Sequence, residues 1–238
     1  MLDESLKTEN STTNTLLVNK FDYIQYKRKS IDGTRYYVND NGDPVPSVTT
    51  ILSKTKDMTA INAWKKRVGK VEAQRIVTES ANLGTVMHKH LECFIEGVER
   101  PKGTNQVHVQ AKQLSDTVIE QGLCNVNEVW GIETALAFPG LYAGTADMIC
   151  VHEDEPAIGD FKTARKFKKK EWISDYFMQA SAYALAHNEV YGTNIKKGVI
   201  FMVTHDNTYQ QFVVEGAEFQ TFTDKWLDKV ETYYKMNK

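Results

Sequence analysis

Several features that would settle the class of a protein at a glance are scarce in this sequence. It carries three cysteines in 238 residues, Cys93, Cys124 and Cys150, with uneven spacing and no C-x-x-C pair. That argues against a disulfide framework, a zinc site or an iron–sulfur cluster. No apolar run approaches the roughly 20 residues needed to span a bilayer, and no signal-peptide pattern opens the chain. A cytoplasmic, intracellular protein with no membrane partner is expected. No internal repeat or low-complexity tract appears. Net basic charge is missing too: 29 Lys and Arg face 31 Asp and Glu, for a formal charge of −2. General affinity for nucleic acid should therefore be modest, although local positive potential beside an acidic cation site needs no net charge.

What remains is ordinary for a globular protein, with 41% hydrophobic and 25% charged residues. The length suits one large domain, or a core with an elaborated helical lobe. Residues 1–16 are rich in Ser, Thr and Asn and read as a disordered tail. The rest, 17–238, reads as one domain, with an N-terminal hairpin and helical lobe (21–125) and a core (126–238). Phe21 to about Val38 alternates around Ile31-Asp-Gly33 as a hairpin does, and Asp40-Asn-Gly-Asp-Pro44 reads as a turn. Helices are expected at about 57–79 and 81–97, split near Asn82-Leu-Gly84, and at 107–121. Strands follow near 128–138, 142–151 and 157–162, then a helix near 171–191, strands near 197–204 and 208–214, and a helix near 218–236. The expected fold is mixed α/β, a central mixed sheet flanked by helices.

The stretch from Asp147 to Lys162 carries the chemistry. Gly144-Thr-Ala-Asp-Met-Ile-Cys-Val151 and Ala157-Ile-Gly-Asp-Phe-Lys-Thr163 read as two strands joined through Glu-Asp-Glu-Pro. Alternation puts Asp147 on a face with Thr145, Ile149 and Val151, and puts Asp160 and Lys162 on a face with Ile158. Phe161 points the other way, but its backbone carbonyl lies between the two polar side chains. Two carboxylates and an ammonium on half-apolar strand faces are costly to bury unpaired. An isolated D-x-K is ordinarily an ion pair at a sheet end. Converging on one or two hard cations, these groups would instead make a site able to hydrolyse a phosphodiester. Asp147 and Asp160 would be the ligands, and Lys162 would orient water or stabilise developing charge.

The order of these elements resembles the P-D-(D/E)-x-K nuclease superfamily, in particular the RecB-like branch of phage exonucleases and mitochondrial genome-maintenance exonucleases. The likeness runs from about Pro46 to the C-terminus. Gly84-Thr-Val-Met-His88-Lys-His-Leu-Glu92 resembles that branch's helical G-T-x-x-H-x-x-x-E element. Gly144-Thr-Ala-Asp147 resembles its G-T-x-D strand, Asp160-Phe-Lys-Thr163 its D-x-K-T strand, and Gln179-Ala-Ser-Ala-Tyr183 its Q-x-x-x-Y helix. Pro46-Ser-Val-Thr-Thr-Ile-Leu52 is similar to its opening segment. Ala146 stands where the superfamily name has proline, a position that is permissive in this branch. The three unclustered cysteines separate the chain from relatives that hold an iron–sulfur cluster.

The resemblance implies a restriction-endonuclease-like core and a DNA exonuclease using Mg²⁺ or Mn²⁺, acting on single-stranded or free-ended DNA. A role in replication, recombination, repair or phage DNA metabolism goes with it. It also implies that His88 joins Asp147, Asp160 and the Phe161 carbonyl as a metal ligand; imidazole beside carboxylates suits manganese as well as magnesium. Glu92 shares a helix face with His88 and would orient it or pair with a lysine. Gln179 and Tyr183 share a face four residues apart and would position DNA and Lys162, the Tyr183 ring stacking on a base. Lys162 to Lys170 holds six basic residues in nine, so Arg165 and Lys166 read as a phosphate-tracking rim. Lys65, Lys66, Arg67 and Lys70 make a second basic patch, beside which Trp64 reads as core or helix packing and not as a base-stacking platform. Glu133 either faces the cleft or pairs across a strand. An endonuclease on the same core and an idle nucleic-acid-binding module are the competing functions.

Overall fold

A computed structural model describes residues 16–31, 33–38 and 44–237. The expected tail apart from Leu16, and the expected turn apart from Pro44, lie outside the described residues. Leu16 itself is not part of a tail: its carbonyl accepts the Val129 amide at 2.7 Å, anchoring the chain beside the central sheet. A hairpin forms, but its first strand begins at Lys27 and not at Phe21: β1 (Lys27–Ile31) is antiparallel to β2 (Thr34–Val38), and a short β3 (Val45–Pro46) completes a three-stranded sheet.

Three helices follow: α1 (Val48–Lys54), α2 (Thr59–Val68) and α3 (Lys70–Glu96). The break between helices falls at Gly69, not at 82–84. Gly69 has φ +87, a backbone conformation that side-chain-bearing residues rarely adopt, whereas Gly84 continues within α3. Helix α1 has no counterpart among the helices expected from the sequence, where Pro46 to Leu52 shows only a family likeness. Ser47 caps it by accepting the Thr50 amide at 3.0 Å, and Val48, Ile51 and Leu52 drop into the core. Trp64 is half-buried on α2, a helix that buries none of its residues fully. Helix α4 (Gln106–Gln121) is capped by Asn105, which accepts the His108 amide at 3.0 Å.

The central sheet has strand order β4–β5–β6–β7–β8 and is open, with β4 and β8 at its edges. It comprises β4 (Val126–Phe138), β5 (Tyr142–His152), β6 (Glu155–Ala164), β7 (Lys197–Thr204) and β8 (Tyr209–Glu215). All neighbours are antiparallel except β6 and β7, which the crossover helix α5 (Ser174–Tyr191) makes parallel. The β5–β6 turn needs only Glu153 and Asp154, both at positive φ, so Glu155 and Pro156 already belong to β6.

Alternation along the strands makes two cores. Ile149, Ile158 and Ile200 face α1, α5 and the C-terminal α6 (Gly216–Met236). Met148, Cys150, Phe161 and Phe201 face α3 and α4. A mixed α/β protein with a sheet covered on both faces results. Its alanines at 180, 182, 184 and 186 are all buried, letting α5 lie close to the sheet.

Candidate functional site

The β5–β6 ladder runs from His152↔Glu155 to Met148↔Gly159 and stops there. The next residues on each strand are Asp147 and Asp160. Beyond this fork β6 continues paired with β7 alone, and the two carboxylates sit where β5 and β6 part. The Asp147 Oδ2 atom accepts the Phe161 amide at 2.9 Å, closing the fork with a side chain where the ladder has ended. Asp160 is 2% exposed, and Lys162 Nζ reaches both its oxygens, at 2.7 and 2.6 Å. Only Oδ1 accepts that ammonium as a hydrogen bond; Oδ2 is buried without one.

His88 comes to the fork from α3. Its Nε2 atom lies 2.8 Å from the Phe161 carbonyl oxygen. Its Nδ1 atom faces Glu133 Oε1 at 3.5 Å and Asp147 Oδ2 at 3.7 Å. Both ring nitrogens thus look at acceptors. A neutral imidazole has one proton for the two sides, so one side is left with lone pair against lone pair. Either a second proton or a cation resolves this. His88, Glu133 and Asp147 can each bring a ligand atom within 4.8 Å of the other two. Glu133 lies on β4 opposite Asp147, between the pairs Ile132↔Met148 and Thr134↔Ala146, with φ +46. For a residue with a side chain that conformation is costly, and it occurs where a carboxylate is delivered to the cluster.

The titration behaviour follows from burial and mutual charge. Burial pushes the Asp160 carboxyl up to about 7, against the pull of Lys162 and with the push of Asp147. Burial disfavours the Lys162 ammonium, but Asp160 and Asp147 outweigh it and its pKa rises. Burial likewise works against a charged His88, and Asp147 with Glu133 overcomes it, so the imidazole titrates above its ordinary value.

The remaining expected residues divide. Glu92 does not support His88: its carboxylate accepts Lys89 at 2.8 Å, and the acidic neighbour of the imidazole is Glu133. Gln179 and Tyr183 do line the cleft, joined by a 3.4 Å hydrogen bond. The Tyr183 ring is buried against Gly144, where an added Cβ would lie 2.8 Å from it, so the glycine is required and the ring cannot stack on a base. Arg165 is tied to Glu79 at 3.1 Å, whereas Lys166 is exposed.

Sequence reasoning missed the outer wall. In the β1–β2 register Arg28 lies opposite Tyr37 and Ser30 opposite Arg35, which puts these four on one face. Tyr37 is buried on that face and bonds Thr145 at 3.0 Å. Arg28 and Arg35 therefore overhang a cavity of about 230 Å³ lined also by Thr49, His88, Glu133 and Asp147. Tyr176 was also missed; its ring lies 5.0 Å from Lys162 Nζ. Positions on a hairpin face are visible from alternation, but nothing in the sequence says which sheet the hairpin covers.

No family description matches the sequence, and no curated protein does. Among solved structures, a protein from Eubacterium rectale provisionally named an exonuclease is similar at 11% identity and a TM-score of 0.45. The similarity covers 65% of this chain and 64%, under two thirds, of that one. The protein SSO0001 is similar at 15% identity and a TM-score of 0.40, over 81% of this chain and 78% of its own.

Proposed function

We propose that this protein is a metal-dependent nuclease that hydrolyses phosphodiester bonds in DNA, working as an exonuclease on single-stranded or free-ended substrate. The observation that carries the reading is the fork at Asp147 and Asp160, with His88 and the Phe161 carbonyl closing on it. A Mg²⁺ or Mn²⁺ ion fits there because the acceptors around His88 outnumber the protons available to them. Asp147, Asp160, His88 and the Phe161 carbonyl would hold it, with Glu133 beside Asp147 at His88 Nδ1. Such an ion supplies Lewis acidity at a phosphoryl oxygen and a more acidic water.

The chain's own groups do the rest. Lys162, held by Asp160, places a positive charge beside the fork, where negative charge develops on the phosphoryl oxygens. Gln179 offers an amide to the cleft and fixes the Tyr183 hydroxyl. Arg28 and Arg35 face the cleft from the hairpin and suit the phosphates on either side of the scissile one. The electrostatics are divided, with acid at the fork and base around it, which is how a chain of net charge −2 can hold a polyanion.

The test is digestion of end-labelled linear and circular single-stranded DNA with Mg²⁺ or Mn²⁺, resolved by product length. Mononucleotides or short products from the linear strand, with the circle intact, are expected. Cutting of the circle would make the protein an endonuclease. Asp147→Asn should abolish cleavage with the fold intact, and Mn²⁺ should raise the melting temperature of the wild type but not of the variant. Normal turnover in Asp147→Asn at saturating metal would remove the fork from the chemistry.

A further inference from the structure

The segment 165–172, which leaves β6 three residues after Lys162, does something none of the preceding roles requires. It reads Arg-Lys-Phe-Lys-Lys-Lys-Glu-Trp, five basic residues against one acid. Phe167 and Trp172 are each 65% exposed. Rings on a loose loop would have little meaning, but the backbone here is fixed at several points. Gln210 on β8 accepts the Lys168 amide and donates to the Lys168 carbonyl, both at 2.9 Å, and Gln210 is itself buried. Lys170 Nζ donates to the Val213 carbonyl at 2.9 Å and to Glu218 at 2.7 Å. Arg165 is held by Glu79, and Ile173 is buried at the far end. The anchoring groups are consumed, while Lys166, Lys168 and Lys169 have no ion-pair partner among the described residues. Lys169 Nζ lies 5.7 Å from the Trp172 ring.

Two hydrated aromatic rings on a rigid frame, interleaved with free ammonium groups, form a surface complementary to a strand whose bases are unpaired. Each base has a π-face that stacks on a ring regardless of sequence, and each phosphate finds a lysine. The position fits as well. One end of the segment is joined through Lys162 to the fork, and the other leads within four residues to Tyr176, which lies against Lys162. We propose that residues 166–172 form a stacking platform for single-stranded nucleic acid, with Phe167 and Trp172 holding bases and Lys166, Lys168 and Lys169 their phosphates. It would hold the strand outside the cleft in line with the fork. This rests on the nuclease reading for the direction of the strand, though not for the binding itself.

The experiment measures binding of a fluorescein-labelled oligo-dT and of a blunt duplex, without divalent metal, to the wild type, Phe167→Ala/Trp172→Ala, Trp172→Phe and Lys166→Gln/Lys168→Gln/Lys169→Gln. Melting temperatures equal to that of the wild type are expected, because both rings are on the surface. The double-alanine variant should lose about tenfold or more in affinity for oligo-dT, with duplex affinity unchanged. Intrinsic tryptophan fluorescence should be quenched by oligo-dT in the wild type and not in Trp172→Phe. The triple-glutamine variant should bind with a salt slope shallower by about two, at about 0.7 per lost contact. Equal affinity of the double-alanine variant and the wild type, or quenching that survives in Trp172→Phe, would overturn the platform even if the wild type cuts DNA. Quenching and the affinity loss in a protein that cuts nothing would keep the platform and discard the nuclease reading. Binding of anionic vesicles but not of oligo-dT, abolished by the same substitutions, would overturn it in favour of a membrane surface.

Discussion

His88 has more neighbours asking for a proton than it has protons, and this imbalance sets what its removal should do. With Nε2 against the Phe161 carbonyl and Nδ1 against Glu133 and Asp147, the ring binds either a proton or a cation. His88→Ala should therefore raise the metal concentration needed for activity by about 10–100-fold, with partial rescue by excess Mn²⁺. Because the carboxylates hold the His88 pKa above its ordinary value, protons compete with the cation as pH falls through the neutral range. Apparent Mn²⁺ affinity, read from the shift in melting temperature, should drop between pH 8 and pH 6 more steeply in the wild type than in the variant. Parallel pH curves would place His88 outside the ion's reach. Lys162→Ala separates charge stabilisation from metal binding: turnover should fall about 10²–10³-fold. Mn²⁺ affinity should stay nearest the wild-type value at high pH and fall increasingly below it as pH drops, since without the ammonium the Asp160 carboxyl, already at about 7, rises further and holds its proton against the cation. Unchanged turnover with lost DNA affinity would make Lys162 a phosphate contact only.

At the scale of elements, the sheet was the most legible part of the chain. Strands β4 to β8 alternate or run apolar over enough residues to declare themselves, and turn residues bracket each one. The helices were harder. Seven-residue α1 is too short to show a helical period and carries two threonines; its stability comes from the Ser47 cap and from core contacts made only after folding. The α2–α3 break was misplaced because Asn82-Leu-Gly84 looks like a terminator, whereas the glycine that actually turns the chain, Gly69, sits among charged residues that extend the helical pattern. The carboxylates and Lys162 were visible as a motif, but their fork depends on where the β5–β6 ladder stops. Glu133 became a participant only through strand register. His90, two residues from His88, faces the opposite way, buried between α3 and α4 with neither ring nitrogen hydrogen-bonded among the described residues. Burying such a ring costs free energy that an apolar side chain of similar size avoids. His90→Leu should raise the unfolding free energy by about 1 kcal/mol in urea titration. A loss of that size instead would mean that a polar partner holds the ring.

For the whole molecule, the question is how the segment ahead of the hairpin stays on the core. Four of its hydrogen bonds fasten it: Val129 bonds both Leu16 and Val18, the Ile24 amide donates to Tyr191 Oη at 3.0 Å, and Tyr23 meets His187 Nε2 at 3.2 Å. His187 is the hub, since its Nδ1 also meets Thr193 at 2.7 Å and its ring packs edge-on against Phe21 with centroids 4.9 Å apart. Burial lowers its pKa to about 4, against about 6.5 in an unfolded chain. The folded state thus favours the neutral ring. Above pH 6.5 neither state binds the proton and the stabilisation is complete. Between 6.5 and about 4 the unfolded state takes up a proton that the folded state refuses, so stability falls as pH falls and levels off below 4. With screening allowed for, the loss between pH 7 and pH 5 from this one residue should be about 1–2 kcal/mol. His187→Gln keeps a polar side chain without the titration. Urea unfolding of metal-free wild type and variant at pH 7 and pH 5 isolates the effect, because the other titrating groups, Asp160 and His88 included, are common to both. The variant should be less stable at pH 7, where hydrogen bonds are lost, yet should lose less on acidification. Equal losses in the two proteins would mean that folding leaves the His187 pKa where it stands in the unfolded chain, and that burial does not hold the ring neutral.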